Sequence, residues 1–291
     1  MNEKRNFWVI GGDLRQAHLA QLLALDGHEV HTLALEQGAH AAPLAACETT
    51  PEGMELAQCV IFPLPVVSTP GQLNAPLSDR EHPLPSLLPH LRPTQLLCGG
   101  KCDPNTALFL HRNGLYLHDY FAREELVVAN AVPTAEGAVQ IAMEELPVTL
   151  HGASVLVLGF GRVGTLTAHR FGALGARVSV AARSCAQRAG AQAVGFSAVH
   201  PRQLSGCIGD FDLVVNTIPS LLLGEELLSL LQEDALVIDL ASRPGGVDME
   251  AAARLGRRVI WALSLPGKVA PLTAAACLRD TIYNLFQEAG N

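Results

Sequence analysis

Lysine is almost absent from this 291-residue chain: Lys4, Lys101 and Lys268 are the only three, against 17 arginines. A chain that otherwise meets its need for positive charge with guanidinium keeps its two internal ammonium groups for one of two reasons. Either their compact geometry and adjustable pKa are used, or they are chance in a lysine-poor composition. No uninterrupted apolar run reaches the roughly 18 residues of a membrane-spanning helix. The polar start Met1–Asn6 leads directly into a strand, Phe7 to Ile10, so the expectation is a soluble cytoplasmic protein with no membrane partner. The seven cysteines are scattered, odd in number and without a CxxC pair, which excludes a complete disulfide framework. Cys98 with Cys102 is too little for a zinc site, and no metal is expected. A net charge of −8 excludes a general nucleic-acid binder, so local basic residues need local reasons. With 49% hydrophobic residues the chain can bury a substantial core, in two domains or one large one.

The most informative stretch runs from Val155 through Leu158 into Gly159-Phe160-Gly161-Arg162-Val163-Gly164. An apolar strand leads into Gly-x-Gly-x-x-Gly and a helix. The first glycine allows the tight turn, the second lets a pyrophosphate approach the backbone, and the third lets the helix pack against its strand. A helix to Leu174, a stop at Gly175 and a second strand over 177–182 supply the βαβ context that a bare glycine match lacks. Gly159, Gly161, Arg162, Val163 and Gly164 are therefore cofactor-binding candidates.

An acid should close the second strand if the cofactor is NAD, because it would bind the ribose 2′-hydroxyl and repel a 2′-phosphate. None is present. The chain reads Ala182-Arg183-Ser184, with Arg188 shortly after, so NADP is the expected cofactor and Arg183, Ser184 and Arg188 its candidate phosphate donors. The alternative is that the two arginines are solvated residues at a helix start.

The chain before the fingerprint reads as another strand-turn-helix-strand unit. Its turn, Gly11-Gly12-Asp13-Leu14-Arg15-Gln16, has two glycines only, so it is not a dinucleotide fingerprint, and Arg15 is placed to face a substrate carboxylate. Strands are expected at Cys59 to Phe62 and Leu96 to Cys98, with an irregular proline-rich loop from Pro63 to Pro93. Pro133 is expected to end a strand that begins at Val127, and Thr134 to open a helix to Leu146. Thr134 is either a simple cap or, with Glu136, part of an interdomain cleft. Later segments, Phe211 to Pro219 as a strand with its carboxyl-end loop, Leu236 to Ser242 as the next and Arg258 to Trp261 as another, place Asn216, Thr217, Pro219, Ala241 and Ser242 where ligands of open parallel sheets lie. Asp239 is expected to orient loops rather than to act as a base.

The expected fold class is α/β, with two Rossmann-like domains of parallel sheet joined by linking helices around a cleft. The divisions are an N-terminal substrate domain over 1–133, a linking helix over 134–147, an NADP-binding domain over 148–271, and a C-terminal helix over 272–291 that returns to the first domain.

Four motifs occur in order: Gly11-Gly12-Asp13-Leu14-Arg15-Gln16, Asn130-Ala131-Val132-Pro133-Thr134-Ala135-Glu136-Gly137, the fingerprint, and Leu265-Pro266-Gly267-Lys268-Val269-Ala270-Pro271. Together they resemble the dipicolinate synthase A-subunit family over nearly the whole chain. The broad architecture is also similar to shikimate and methylenetetrahydrofolate dehydrogenases. The resemblance implies an oxidoreductase acting on a CH-CH donor in the mother cell during endospore formation. It would oxidise dihydrodipicolinate, or a hydrated precursor, to dipicolinate with NADP, and its partner would be the flavoprotein-like B-subunit of the synthase. Such chemistry needs two carboxylates held and a ring carbon set against the nicotinamide. Arg15, Lys101, Thr134 and Ser242 are then the substrate-binding candidates, with Lys268 a further cation for the clamp. His118, Glu136 and Lys268 are the catalytic candidates, Asp119 being a further choice of proton acceptor. Homo-oligomerisation stays open, as do two other classes: a different NADP-linked dehydrogenase of an acidic small molecule, and a nonenzymatic NADP-binding sensor.

Overall fold

The computed structural model describes residues 4–290. It comprises two compact units, one of Met1–Asn130 with Ala270–Asn291 and one of Ala131–Val269.

In the first unit, β1 (Asn6–Ile10), α1 (Leu14–Leu25) and β2 (Glu29–Leu33) form the strand-turn-helix-strand unit read from the sequence. They are followed by β3 (Ala46–Glu48) and β4 (Cys59–Ile61), then a small antiparallel hairpin of β5 (Val67–Thr69) and β6 (Gln72–Leu73). Next come a short α2 (Leu84–Leu87), β7 (Leu96–Gly99), α3 (Pro104–Arg112) and β8 (Leu117–Asp119). The proline-rich segment is thus not wholly irregular: the hairpin and α2 interrupt it, with prolines at the edges, where no ladder donor is lost. Six parallel strands run in the order β3-β2-β1-β4-β7-β8.

Alternation along β1 sorts its side chains to two faces, as the period of a strand requires. Phe7 and Val9 pack with Leu19 and Leu23 of α1 and with Leu278, Ile282 and Phe286 of the C-terminal helix. Trp8 and Ile10 pack on the other face with Phe62, Leu97 and Leu110. Both faces are covered, which is why the strand reads as an unbroken apolar run.

Helix α4 (Glu124–Glu145) starts ten residues earlier than the sequence suggested and runs straight through Pro133. The strand expected from Val127 to Pro133 does not exist. Ala131, Ala135, Ala138 and Ala142 are all buried and recur at helical spacing, so burial of that stripe outweighs the hydrogen bond that the proline removes. By length and composition alone α4 is apolar enough to cross a membrane. Exposed Glu136 at mid-length and a small-residue stripe make it the core helix of an α/β unit instead.

The second unit continues with β9 (Ser154–Leu158), α5 (Arg162–Ala173), β10 (Arg177–Ala181), α6 (Cys185–Ala193) and β11 (Ser197–Val199). It is completed by β12 (Leu213–Asn216), α7 (Glu225–Ser229), β13 (Leu236–Asp239), α8 (Met249–Arg254), β14 (Arg258–Trp261) and α9 (Leu265–Val269). The parallel order is β11-β10-β9-β12-β13-β14, the doubly wound arrangement with its switch point between β9 and β12. Val155 and Val157 face Ala138, Ala142, Ala168 and Phe171, while Leu156 and Leu158 face Leu204, Ile208 and Leu228. The C-terminal helix α10 (Pro271–Glu288) lies along α1 in the first unit. All seven cysteines are free thiols.

Candidate active site

The fingerprint turn leaves β9 at the switch point of the second sheet, and each glycine there has its own reason. Gly159 has φ +96, and a Cβ on it would sit 2.5 Å from Thr217 Oγ1. A Cβ on Gly164 would overlap the Gly159 carbonyl oxygen, so the close approach of α5 to its own turn depends on that glycine. At Gly161 nothing lies within 4 Å of where a Cβ would project. That space faces the N-terminus of a 12-residue helix, whose unpaired amides and positive dipole end suit a pyrophosphate. The residues present therefore fit a dinucleotide. Arg162 and Val163 open α5 beside this space.

The loops after β12 and β13 are tied into one unit by a single buried carboxylate. Asp239 is 1% exposed, accepts from Asn216 Nδ2 at 2.8 Å, and takes the amides of Ala241 at 3.0 Å and Gly246 at 2.8 Å. Asn216 also donates to the Ile218 carbonyl, and Thr217 Oγ1 donates to the Leu158 carbonyl at 2.8 Å. Asp239 thus orients loops, as expected from its place at a strand end. Asn216 and Thr217 shape the rim of the crevice through their backbone bonds, while Pro219 and Ser242 are exposed and Ala241 is buried.

Where β10 ends, the three candidate phosphate donors differ. Arg183 is exposed and makes no ion pair among the described residues. Ser184 caps α6, its Oγ accepting from the Gln187 amide at 3.4 Å. Arg188 is turned onto the loop itself, donating to the carbonyls of Ala182 at 2.7 Å and Arg183 at 2.8 Å. Gln187 reaches the Phe160 carbonyl at 3.1 Å and pins this loop to the fingerprint.

The first unit has its own switch point, between β1 and β4, and cations gather there. Arg15 is 5% exposed and forms a two-pronged ion pair with Asp13, Nε to Oδ1 at 2.9 Å and Nη2 to Oδ2 at 2.8 Å. Asp13 is also the cap of α1, accepting the Arg15 amide. Much of the guanidinium expected to face a substrate is thus occupied by its own turn, leaving Nη1 without a hydrogen-bond partner among the described residues. Lys101 follows β7 with φ +49, its amide and that of Cys102 held by the Asp119 carboxylate at 3.2 and 3.1 Å. Its ammonium lies 5.0 Å from the centre of the Phe121 ring. Partial burial, and then the Arg15 guanidinium, lower the Lys101 pKa, against a smaller opposing pull from Asp119. Lys101 thus feels the charge of Arg15 and stands in no ion pair among the described residues, an arrangement suited to an anion.

Not every sequence candidate joins these clusters. His118 lies on β8 with its ring edge-on to exposed Tyr116, 4.8 Å between centres, and burial lowers its pKa. Asp119 is spent on backbone amides, accepting that of Phe121 as well at 2.8 Å. Glu136 projects from the exposed side of α4 toward Arg170 at 3.5 Å. Thr134 lies inside α4, away from either end, and so is not the cap that the sequence suggested. Lys268 is exposed at the end of α9, in the unit that lacks Arg15 and Lys101.

Two residues escaped sequence reasoning. Gln16 is fully buried, and its Nε2 reaches the hydroxyl of Tyr120 at 3.4 Å, which in turn donates to the Phe62 carbonyl at 2.9 Å. Gln16 and Tyr120 are separated by 104 positions, so only the strand order could pair them.

Residues 6–121 match the N-terminal domain of the dipicolinate synthase A-subunit, and residues 125–256 match the D-isomer specific 2-hydroxyacid dehydrogenase NAD binding domain. The dipicolinate synthase A-subunit of Bacillus subtilis (strain 168) is 32% identical over 292 residues, 96% of this chain and 95% of that protein. The crystal structure of the dipicolinate synthase A-subunit from Bacillus halodurans superposes with a TM-score of 0.88 at 28% identity, covering 97% of each chain. That of its counterpart from Bacillus subtilis gives 0.87 at 30% identity over 99% of this chain and 97% of the other. The second unit is thus an NAD(P)-binding dehydrogenase domain, and since the likeness extends across both units, the chain belongs to the dipicolinate synthase A-subunit family.

Proposed function

We propose that this chain oxidises dihydrodipicolinate, or its hydrated precursor, to dipicolinate with NADP. The observation that carries the substrate assignment is the pair Arg15 and Lys101 at the carboxyl ends of β1 and β7. A lysine that feels the charge of a nearby arginine suits a carboxylate on a small ring. The cofactor is held by the Gly159–Gly164 turn and the N-terminus of α5, and when bound it supplies the acceptor for the hydride leaving the ring carbon. Exposed Arg183, with the Ser184 hydroxyl beside it, supports a 2′-phosphate and hence NADP over NAD.

The chain's own residues need only bind, orient and take up one proton, because aromatisation drives the reaction. His118, kept neutral near pH 7 by burial, is the proton acceptor in this scheme. Glu136, committed to Arg170, is the weaker candidate. Lys268, Thr134 and Ser242 remain substrate candidates to be tested one at a time. The proposal is completed by a cytoplasmic setting during endospore formation and by a flavoprotein-like partner, since the relatives are named as one component of a synthase.

Purified protein incubated with dihydrodipicolinate and NADP should release dipicolinate, with or without that partner. Turnover of another acidic substrate in its place would make the chain a different dehydrogenase. Nucleotide binding with no turnover in either condition would favour a sensor.

A further inference from the structure

Lys101, one of only three lysines in the chain, stands where glycine would be expected. In the run Gly99-Gly100-Lys101 neither glycine has a positive φ, and both are small for another reason: a Cβ on Gly99 would meet Val66 at 2.8 Å, and one on Gly100 would overlap the Tyr120 ring. The left-handed residue is the lysine, at φ +49, a conformation that is costly for a residue with a Cβ and free for glycine. Ala34 and Ser264 share it among the described residues, and of the three only Lys101 carries a charge. The Asp119 carboxylate holds it there. Oδ1 accepts the Lys101 amide at 3.2 Å and the Phe121 amide at 2.8 Å, while Oδ2 accepts the Cys102 amide at 3.1 Å. The Lys101 ammonium in turn lies 5.0 Å from the centre of the Phe121 ring. One carboxylate therefore fixes the backbone of both partners in this contact, yet Lys101 is in no ion pair with it.

We propose that Asp119 is a positioning residue for anion binding: by taking three amides it sets the left-handed turn that directs the Lys101 ammonium onto Phe121, and it leaves that ammonium open to a substrate carboxylate. The inference rests on the clamp of Arg15 and Lys101 proposed above. At an ordinary negative φ the side chain would leave the backbone in another direction, so the three bonds decide where the cation sits. They also keep the carboxylate oxygens turned to the backbone rather than to the lysine. Asp119 has a second effect, through its charge. Burial and the Arg15 guanidinium of α1 lower the Lys101 pKa, and Asp119, at the end of β8, opposes them, so it favours the protonated form that an anion needs. Geometry and charge can be separated by substitution, because Asn keeps the shape without the charge and Glu keeps the charge with displaced oxygens.

The test is calorimetric titration of the full chain with pyridine-2,6-dicarboxylate, from neutral pH to about pH 10, where an ordinary lysine begins to lose its proton. Lys101→Met should weaken binding by about tenfold or more at neutral pH, the scale of a hydrogen bond to a charged group. Asp119→Asn should weaken it by about threefold or more through misplacement of the ammonium. In the same variant the alkaline decline should move to lower pH, because burial and Arg15 then lower the Lys101 pKa unopposed. Asp119→Glu should weaken binding at neutral pH and leave the alkaline decline near its wild-type position. Nucleotide affinity should stay as it was in all three. A folded Asp119→Asn with wild-type affinity overturns the inference and leaves the clamp standing. So does a loss of affinity with an unmoved alkaline decline, the mark of a carboxylate that only supports the fold. If Asp119→Asn does not fold, Asp119→Glu decides, and wild-type affinity in that variant overturns the inference. Lys101→Met that binds like the wild type, or a wild type that does not bind the dicarboxylate, overturns the clamp and the inference together.

Discussion

Asn216 and Asp239 face each other across the ends of β12 and β13, the amide donating to the carboxylate at 2.8 Å, and that contact organises the loops around the dinucleotide crevice. Removing the carboxylate in Asp239→Ala leaves the amides of Ala241 and Gly246 without partners inside the protein. Each orphaned buried donor costs about 1–3 kcal/mol, so a loss of about 3 kcal/mol is expected in urea unfolding. Nucleotide affinity should fall with it. A loss below about 0.5 kcal/mol, the scale of a surface substitution, would show that the loops hold without this hub.

Gly161 and Gly164 of the fingerprint should separate under substitution. Gly161→Ala has room for its methyl and an ordinary φ of −96, so it should fold normally and lose the nucleotide, because the methyl takes the space of the pyrophosphate. Gly164→Ala meets the Gly159 carbonyl and should unfold more readily. Circular dichroism with nucleotide titration reads both halves. Full affinity in Gly161→Ala would move the phosphate elsewhere.

In the proposed scheme cofactor choice falls to Arg183, since Arg188 is engaged with carbonyls of its own loop. Wild-type protein should bind NADP more tightly than NAD. Arg183→Asp should weaken NADP by about 1.5–3 kcal/mol, the scale of hydrogen bonds to a charged group, with little loss for NAD. Equal affinities of the wild-type protein for the two cofactors would sink the assignment.

Dicarboxylate binding should depend on the protonation of Lys101. An anion binds the ammonium form, which persists below the lysine's pKa, and that pKa is lowered from 10.5 by burial and by Arg15. Affinity should therefore be full at neutral pH and decline on the alkaline side earlier than an ordinary lysine would allow. Lys101→Met should raise the Michaelis constant, lower turnover through misplacement of the ring, and abolish that alkaline limb while nucleotide affinity is unchanged. Arg15→Ala is a poorer probe, because it also strips the ion pair from the cap of α1.

Mild acid should loosen the fold through its buried histidines. Burial lowers the pKa of His18, His28 and His82 below the ordinary 6.5. The unfolded chain then takes protons first as pH falls through about 6.5, so the stability present above that value declines toward the folded-state pKa values. At His28 the folded state also loses a bond on protonation, since Nδ1 accepts the Arg5 amide at 3.3 Å and a protonated ring cannot. Urea midpoints at about pH 7.5 and 5.5 should differ in that direction, and identical midpoints would count against it.

Local chemistry in the chain was enough to specify the dinucleotide turn, because the positive φ of Gly159 and the fit of Gly164 against the Gly159 carbonyl are set within a few residues. It also specified the strands of both sheets that carry long apolar runs, and the absence of an acid after β10. The short edge strands β3, β8 and β11 are too brief to leave a period in the sequence, and they exist because a neighbouring strand offers them a ladder. The same holds for α4, where a proline that should end an element lies within a stripe of small buried residues, and burial of the whole stripe outweighs one lost hydrogen bond. At the candidate site the sequence supplied the residue types, Arg15, Lys101 and Arg183, and the tertiary structure decided their freedom. Arg15 is half consumed by Asp13, Arg188 by carbonyls, and Asp119 by amides, while Lys101 and Arg183 keep their charges unpaired among the described residues. Gln16 closes a motif legible in the sequence, but its contact with Tyr120 is not, since it arises only when parallel strands distant in sequence bring their carboxyl ends to one edge of a sheet.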